Sequence, residues 1–165
     1  MPNAKILIRS FGPGDASYVS YMHMKFYREH YCFKPVFEYY VMKGLSEFLY
    51  DPNGGDLWIA EAGGLAVGSI AIVKTPDAAQ LRWFLVGAEH QGKGIGRCLL
   101  DTAMRFCVKN EYRRVFLWTI SALKAARHLY EEFGFVLTEE KTNDEWTDST
   151  IMEERWEFGA NAPNR

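Results

Sequence analysis

Residues 5–9, with Ile6, Leu7 and Ile8 between Lys5 and Arg9, read as a first strand, and Gly12-Pro13-Gly14 then breaks the run. Asp15 or Ser17 can cap the helix that follows, which is predicted to end near His30. Cys32-Phe33-Lys34-Pro35 interrupts the pattern. Phe37, Tyr40, Val41, Leu45 and Phe48 resume it at helical spacing and predict a second helix over 36–50. Asp51-Pro52-Asn53-Gly54-Gly55 reads as a turn, 57–62 and 65–74 as strands joined by a Gly63-Gly64 hairpin turn, and 79–86 as the next strand. Ile95, Cys98, Leu99, Thr102, Ala103 and Phe106 then repeat as one face of a helix ending near Asn110. Residues 114–119 are nearly all apolar, the expectation for a central strand covered on both faces. A helix over 122–133 closed by Gly134, and a final strand pair over 135–140 and 151–158, complete the order. Periodicity alone defines one mixed α/β domain over 1–158 without internal repeats, and the small, polar tail over 159–165 reads as disordered.

Candidate chemistry is concentrated after the strand at 79–86, in Gln91-Gly92-Lys93-Gly94-Ile95-Gly96. Glycine lets the backbone come close to a ligand, and the helix that starts here aims unpaired N–H groups and its positive end at the same place, so an anion is expected. A Walker loop needs Ser or Thr after the lysine, and Gly94 stands there instead. A dinucleotide fingerprint needs a third glycine where the chain has Arg97 or Leu99. What remains is Q-x-x-G-x-G at Gln91, Gly94 and Gly96, followed farther on by A-x-x-L-Y-x-x-x-G-F from Ala126 through Leu129, Tyr130 and Gly134 to Phe135.

These two ordered motifs resemble the acetyl-CoA signature and the second signature of the GNAT N-acetyltransferase superfamily, and the likeness runs from about Ile6 to Phe158. Arg82-Trp83-Phe84-Leu85-Val86 and Arg113 to Thr119 are most similar to acetyltransferase domains fused behind helix-turn-helix regulators, although no regulator domain is expected here. The resemblance implies a mixed sheet of about six to seven strands flanked by about four helices, splayed between the fourth and fifth strands to admit the pantetheine arm. It implies acetyl-CoA as cosubstrate and no metal. Gln91, Gly92, Lys93, Gly94, Ile95, Gly96 and Arg97 would hold the pyrophosphate through backbone N–H groups, with charge added by Lys93 and Arg97. Backbone groups of Phe84, Leu85 and Val86 would pair with the pantetheine amides, and an N–H near Leu85 would receive the oxyanion. Tyr130 falls where the family places its general acid. Leu123 replaces an asparagine that in many members bonds the pantetheine arm, which leaves Ser121 or Thr119 for that contact.

The base is less clearly marked. Glu38 lies among Tyr27, Tyr31, Phe33, Phe37, Tyr39 and Tyr40, in the segment that shapes the acceptor site in GNAT enzymes, with Glu29 and Glu89 as alternatives. Partial burial of Glu38 would raise its pKa toward a useful range. Arg82 and Trp118 sit on the strands expected to part, facing the acceptor channel or serving the structure. The acidic loop 142–148 either closes over the acceptor and favours a cationic amine or is simply solvated.

A net charge of −2 without a long basic run argues against nucleic acid and membrane surfaces as partners. The start lacks a signal-peptide apolar region, and no apolar stretch approaches the ~20 residues of a membrane span, so a cytoplasmic protein is expected. Three cysteines without a CxxC pair support neither disulfides nor zinc; Cys98 and Cys107 read as small helix-face hydrophobes. The expected function is acetyl transfer from acetyl-CoA to a primary amine of a small molecule or peptide. A non-catalytic CoA-binding sensor and simple thioester hydrolysis are the alternatives, and a homodimer through the C-terminal strands is in keeping with many relatives.

Overall fold

The structure, a computed structural model, describes residues 4–159; the remainder of the expected tail lies outside them. Seven strands and four α-helices follow one another as β1 (Ile6–Ser10), α1 (Asp15–Tyr31), α2 (Pro35–Tyr50), β2 (Asp56–Ala62), β3 (Leu65–Lys74), β4 (Ala79–Val86), α3 (Ile95–Lys109), β5 (Val115–Ile120), α4 (Lys124–Glu132), β6 (Val136–Asn143) and β7 (Ile151–Phe158). A 3₁₀ turn at Ala88–His90, which the sequence does not announce, carries β4 into the glycine loop. The strands form one sheet in the order β1-β2-β3-β4-β5-β7-β6.

Only β4 and β5 run parallel, and they pair at just two positions, Ala79 with Val115 and Gln80 with Phe116. From Leu81 onward the strands part, as the resemblance implies. β5 stays paired with β7 along its whole length, so it is β4 that leaves. A bulge accompanies the departure: the β3–β4 register shifts between Ser69 and Ala71, and Trp83 adopts a left-handed φ of 47°. The buried Ser69 hydroxyl donates to the Trp83 carbonyl at 2.7 Å and fixes the bulge. Bulges increase local twist, which turns the end of β4 away from β5 and leaves its outer backbone edge without a strand partner.

Helices cover both faces. Ala16 and Val19 of α1 and Val41, Leu45 and Phe48 of α2 pack with Leu57, Ile59, Ala71 and Trp83 on one side. On the other, Leu99, Leu100, Ala103 and Cys107 of α3 pack with Ile70, Ile72, Leu81, Val115 and Leu117, joined by Tyr130 of α4. β2 and β3 are therefore buried on both faces at their centres.

Three expectations are corrected. Neither Asp15 nor Ser17 caps α1 by a side-chain bond: left-handed Gly14 occupies the cap position. Asp15 instead receives the Gly12 N–H at 2.7 Å and the Arg9 guanidinium at 2.6 Å, and Arg9 holds its carboxyl below the usual range. β5 is not covered on both faces: Val115 and Leu117 are buried, whereas Phe116 and Trp118 lie on the opposite, half-open face beneath Arg155 and Lys141. β6 runs on to Asn143 rather than stopping at Glu140, because it pairs with β7 to the loop.

Candidate active site

Where β4 and β5 part, two adjoining cavities open, sharing Phe84, Leu123 and Ala126. The larger, about 560 Å³, runs from Phe84, Leu85 and Val86 past Gln91, Gly92, Gly94, Ile95, Gly96 and Arg97, with α4 as its other wall. Gly92 and Gly94 have φ of 74° and 80°, conformations that glycine adopts without strain. Gly94 is the left-handed N-cap of α3, and no side chain caps it. The first helical bond is Cys98 N–H to the Gly94 carbonyl at 3.1 Å, which leaves the N–H groups of Ile95, Gly96 and Arg97 without helical acceptors. The loop thus presents donors at the positive end of a four-turn helix.

Side chains here mostly brace the loop. Gln91 donates to the Val86 carbonyl at 2.9 Å, and Lys93, outside the cavity lining, donates to the Glu89 carbonyl at 3.2 Å. Arg97 is ion-paired with Glu132 across the cleft, which, with His128, holds the Glu132 carboxyl below its usual range. Ser121 lines neither cavity; its N–H is bonded to the Met152 carbonyl, and Ala122 and Leu123 face the space instead.

The smaller cavity, about 210 Å³, lies beyond the junction between α1, α2, β4 and β5. Tyr130 reaches it from α4, with its ring 6.0 Å from Phe84, 5.9 Å from Phe135 and 6.3 Å from Trp156. Burial, with Tyr27 close by, raises the phenol well above its ordinary pKa, so Tyr130 stays protonated and is a donor. Its hydroxyl has no hydrogen-bond partner among the described residues.

His23 was not singled out by the sequence. It continues the buried stripe Ala16, Val19, Ser20 of α1, where a histidine reads as core, yet it lines this cavity. Its Nδ1 lies 2.8 Å from the Val19 carbonyl. A carbonyl only accepts, so the hydrogen-bond network assigns the proton to Nδ1 and leaves Nε2 as a lone pair. Burial pushes the pKa down to about 4, and the ring is neutral at pH 7. Because the folded pKa is depressed, His23 adds no penalty above the unfolded value of about 6.5. Stability is then lost as pH falls toward 4, since only the unfolded chain takes up the proton, by about 3 kcal/mol in all. His23→Gln is expected to lose that much less between pH 7 and pH 4 in urea unfolding.

Glu38 is half-buried in the first turn of α2 and lines neither cavity, where Tyr27, Phe37, Tyr40 and Trp146 form the wall. Nor do Glu29 or Glu89 line them. The loop after β6 does close the smaller cavity, but with an apolar residue. Trp146 packs 5.0 Å from Phe37, and its carbonyl accepts the Lys34 N–H at 2.8 Å. The loop's acids find partners elsewhere: Glu145 with Tyr40, Asp148 with Lys34, Asp144 with Thr150. Arg82 and Trp118 both line the cavity. Among the described residues no group of three or more His, Cys, Asp or Glu is arranged to hold a metal, and no helix is long and apolar enough to cross a membrane.

Comparison with known proteins matches this architecture. The profile of the acetyltransferase (GNAT) family aligns with residues 18–135, and the chain belongs to that family. Among curated proteins it is similar to N-acetyltransferase family 8 member 3 of Rattus norvegicus, 37% identical over 89 residues that cover 50% of this chain and 39% of the relative. It is also similar to N-acetylaspartate synthetase of Danio rerio, 32% identical over 96 residues covering 57% and 34%. The chain thus spans well under half the length of these relatives. An acetyltransferase from Salmonella typhimurium solved with acetyl-CoA shares the fold with a TM-score of 0.74 at 14% identity, covering 98% of both chains. Spermidine N-acetyltransferase from Vibrio cholerae, solved with CoA and spermine, gives 0.70 at 18% identity over 93% of this chain and 94% of its own.

Proposed function

We propose that this chain transfers the acetyl group of acetyl-CoA directly to a primary amine. The observation that carries the proposal is Tyr130, a protonated phenol without a protein partner that lines the aromatic cavity and packs 6.0 Å from Phe84, which that cavity shares with the donor-lined cleft. Family membership and the names of the relatives support acetyl transfer. The larger cleft fits a CoA: free N–H groups at the start of α3 suit a pyrophosphate, and the edge of β4 at Phe84, Leu85 and Val86, without a strand partner though Gln91 bonds the Val86 carbonyl, suits the pantetheine amides.

When bound, the thioester supplies an activated acetyl carbonyl. The chain's own groups then align a neutral amine for attack, so that a C–N bond forms as the C–S bond breaks and the electron pair leaves with sulfur. Tyr130 donates its proton to that sulfur and is reprotonated from solvent. Its raised pKa keeps the proton on the phenol until negative charge develops on the leaving sulfur. His23, rather than Glu38, is the proton acceptor at hand. Its Nε2 lone pair receives a hydrogen bond from the attacking N–H and hands the proton to water, since a group with a pKa of about 4 does not retain it.

Glu132 opposes binding of an anionic ligand and occupies Arg97. Glu132→Gln is expected to lower the KM for acetyl-CoA about threefold with kcat little changed, a difference in ground-state binding. One relative is named for N-acetylaspartate and one neighbour for spermidine, both products or substrates of small-amine chemistry, which supports a small-molecule acceptor. Thiol release from acetyl-CoA across a panel of amines, with the product weighed by mass spectrometry, tests the proposal. Equal amounts of CoA and acetylated amine are expected; CoA without product indicates hydrolysis, and binding without turnover indicates a sensor.

A further inference from the structure

Arg82 is unusual among the cations of this protein. It lines the smaller cavity, is mostly buried, and has no carboxylate within ion-pairing distance among the described residues. Burial lowers its pKa from the ordinary arginine value; Glu47 opposes this by charge alone and is itself bonded to Lys43. A guanidinium removed from water without a counter-ion is costly, and an anion that enters the cavity relieves that cost.

The surroundings hold the group in place. Its carbon stands 4.7 Å over the Trp83 ring, and Trp83 is fixed by the bulge. α2 carries Gly44 against both groups, where a Cβ would stand 2.7 Å from Nη2 of Arg82 and 3.1 Å from the Trp83 ring. Glycine inside a helix costs about 1 kcal/mol relative to alanine, so α2 gives up propensity at the one point where the guanidinium needs room. Much of the remaining wall is aromatic, through Tyr27, Phe37, Trp118 and Trp146; Gln80 and Thr119 add polar groups, and it contains no Asp, Glu or Lys. At about 210 Å³ the space is smaller than the roughly 300–1,000 Å³ of drug-sized ligand sites.

Resting on the transferase proposal above, we propose that Arg82 anchors a carboxylate of the acceptor, so that the acceptor is a free α-amino acid with an apolar or aromatic side chain. The guanidinium fork matches a carboxylate in two parallel bonds. Anchored there, the α-amine is carried toward Tyr130 and His23, which line the same cavity, while the side chain meets the aromatic wall. A polyamine, by contrast, meets a cation and no acid.

The test compares phenylalanine and leucine with phenethylamine and with the two amino-acid amides, by product mass and by calorimetry, in wild type, Arg82→Gln and Arg82→Lys. The acids are expected to exceed their uncharged counterparts in kcat/KM by at least about tenfold. Arg82→Gln should remove that preference mainly through KM and leave phenethylamine within about twofold, with Arg82→Lys in between. An equal loss on all substrates would mark Arg82 as structural, and phenethylamine or an amide turned over as well as the acids would overturn the carboxylate anchor while leaving the transferase intact. If no amine is acetylated, the transferase proposal fails by itself. Calorimetry then decides the anchor: phenylalanine binding that Arg82→Gln abolishes would support it, and no binding would overturn it too.

Discussion

Tyr130→Phe is expected to lower kcat by about 10²–10⁴-fold, the range for a lost general acid, while binding of acetyl-CoA stays within about twofold. The ring keeps its packing against Phe84, Phe135 and Trp156. Only a hydroxyl without a protein partner is removed, from a residue 4% exposed. Taking an unpaired polar group out of such a site does not destabilise the fold, so the melting temperature should hold or rise slightly. An acid has no part in binding alone, so kcat and kcat/KM should fall together. Activity unchanged in this variant would remove Tyr130 from the chemistry; activity lost together with stability would make it a packing residue.

Gly94→Val is the second large effect, and it acts on binding. Gly94 has φ 80° and ψ 2°, with nothing within 4 Å of where a Cβ would lie. The penalty is therefore in the backbone and not in crowding: roughly 1–2 kcal/mol for an L-residue in the left-handed region, and at the upper end for a β-branched one. The loop relieves it by rotating, which carries the N–H groups of Ile95, Gly96 and Arg97 out of line. Calorimetric titration with CoA should show the Kd raised about tenfold to thirtyfold, with a modest fall in melting temperature. An unchanged Kd would mean that these N–H groups do not hold the pyrophosphate.

The difference between these sites and the others shows what a sequence makes legible. Gly92 and Gly94 are readable because glycine before a helix is local chemistry, and the order of strands and helices is readable because period 2 and period 3.6 seldom coincide. The gap between β4 and β5 came from the family resemblance, since it accompanies a non-glycine residue, Trp83, in a left-handed conformation braced by a buried contact with Ser69 that lies on another strand. His23 was hidden because the stripe Ala16, Val19, Ser20, His23 is what a core face looks like, and the cavity it lines is completed by Trp146, distant in the chain. Glu38 looked promising by company, among aromatics, but helix phase turned it out of the cavity those aromatics form. The acidic loop follows the second of its two readings: Asp144, Glu145 and Asp148 are exposed and partnered by Thr150, Tyr40 and Lys34, while the apolar Trp146 turns inward. Arg82 alternates with buried Leu81 and Trp83 along β4, so its cavity-facing position was readable as one of two options, but its want of a counter-ion was not.

The transferase proposal stands or falls on a crystal structure of the complex with CoA. The pyrophosphate is expected on the N–H groups of Ile95, Gly96 and Arg97, the pantetheine along the free edge of β4, and the sulfur in the gap between β4 and β5 within hydrogen-bonding reach of the Tyr130 hydroxyl. CoA bound elsewhere, or a sulfur that never approaches Tyr130, would contradict it.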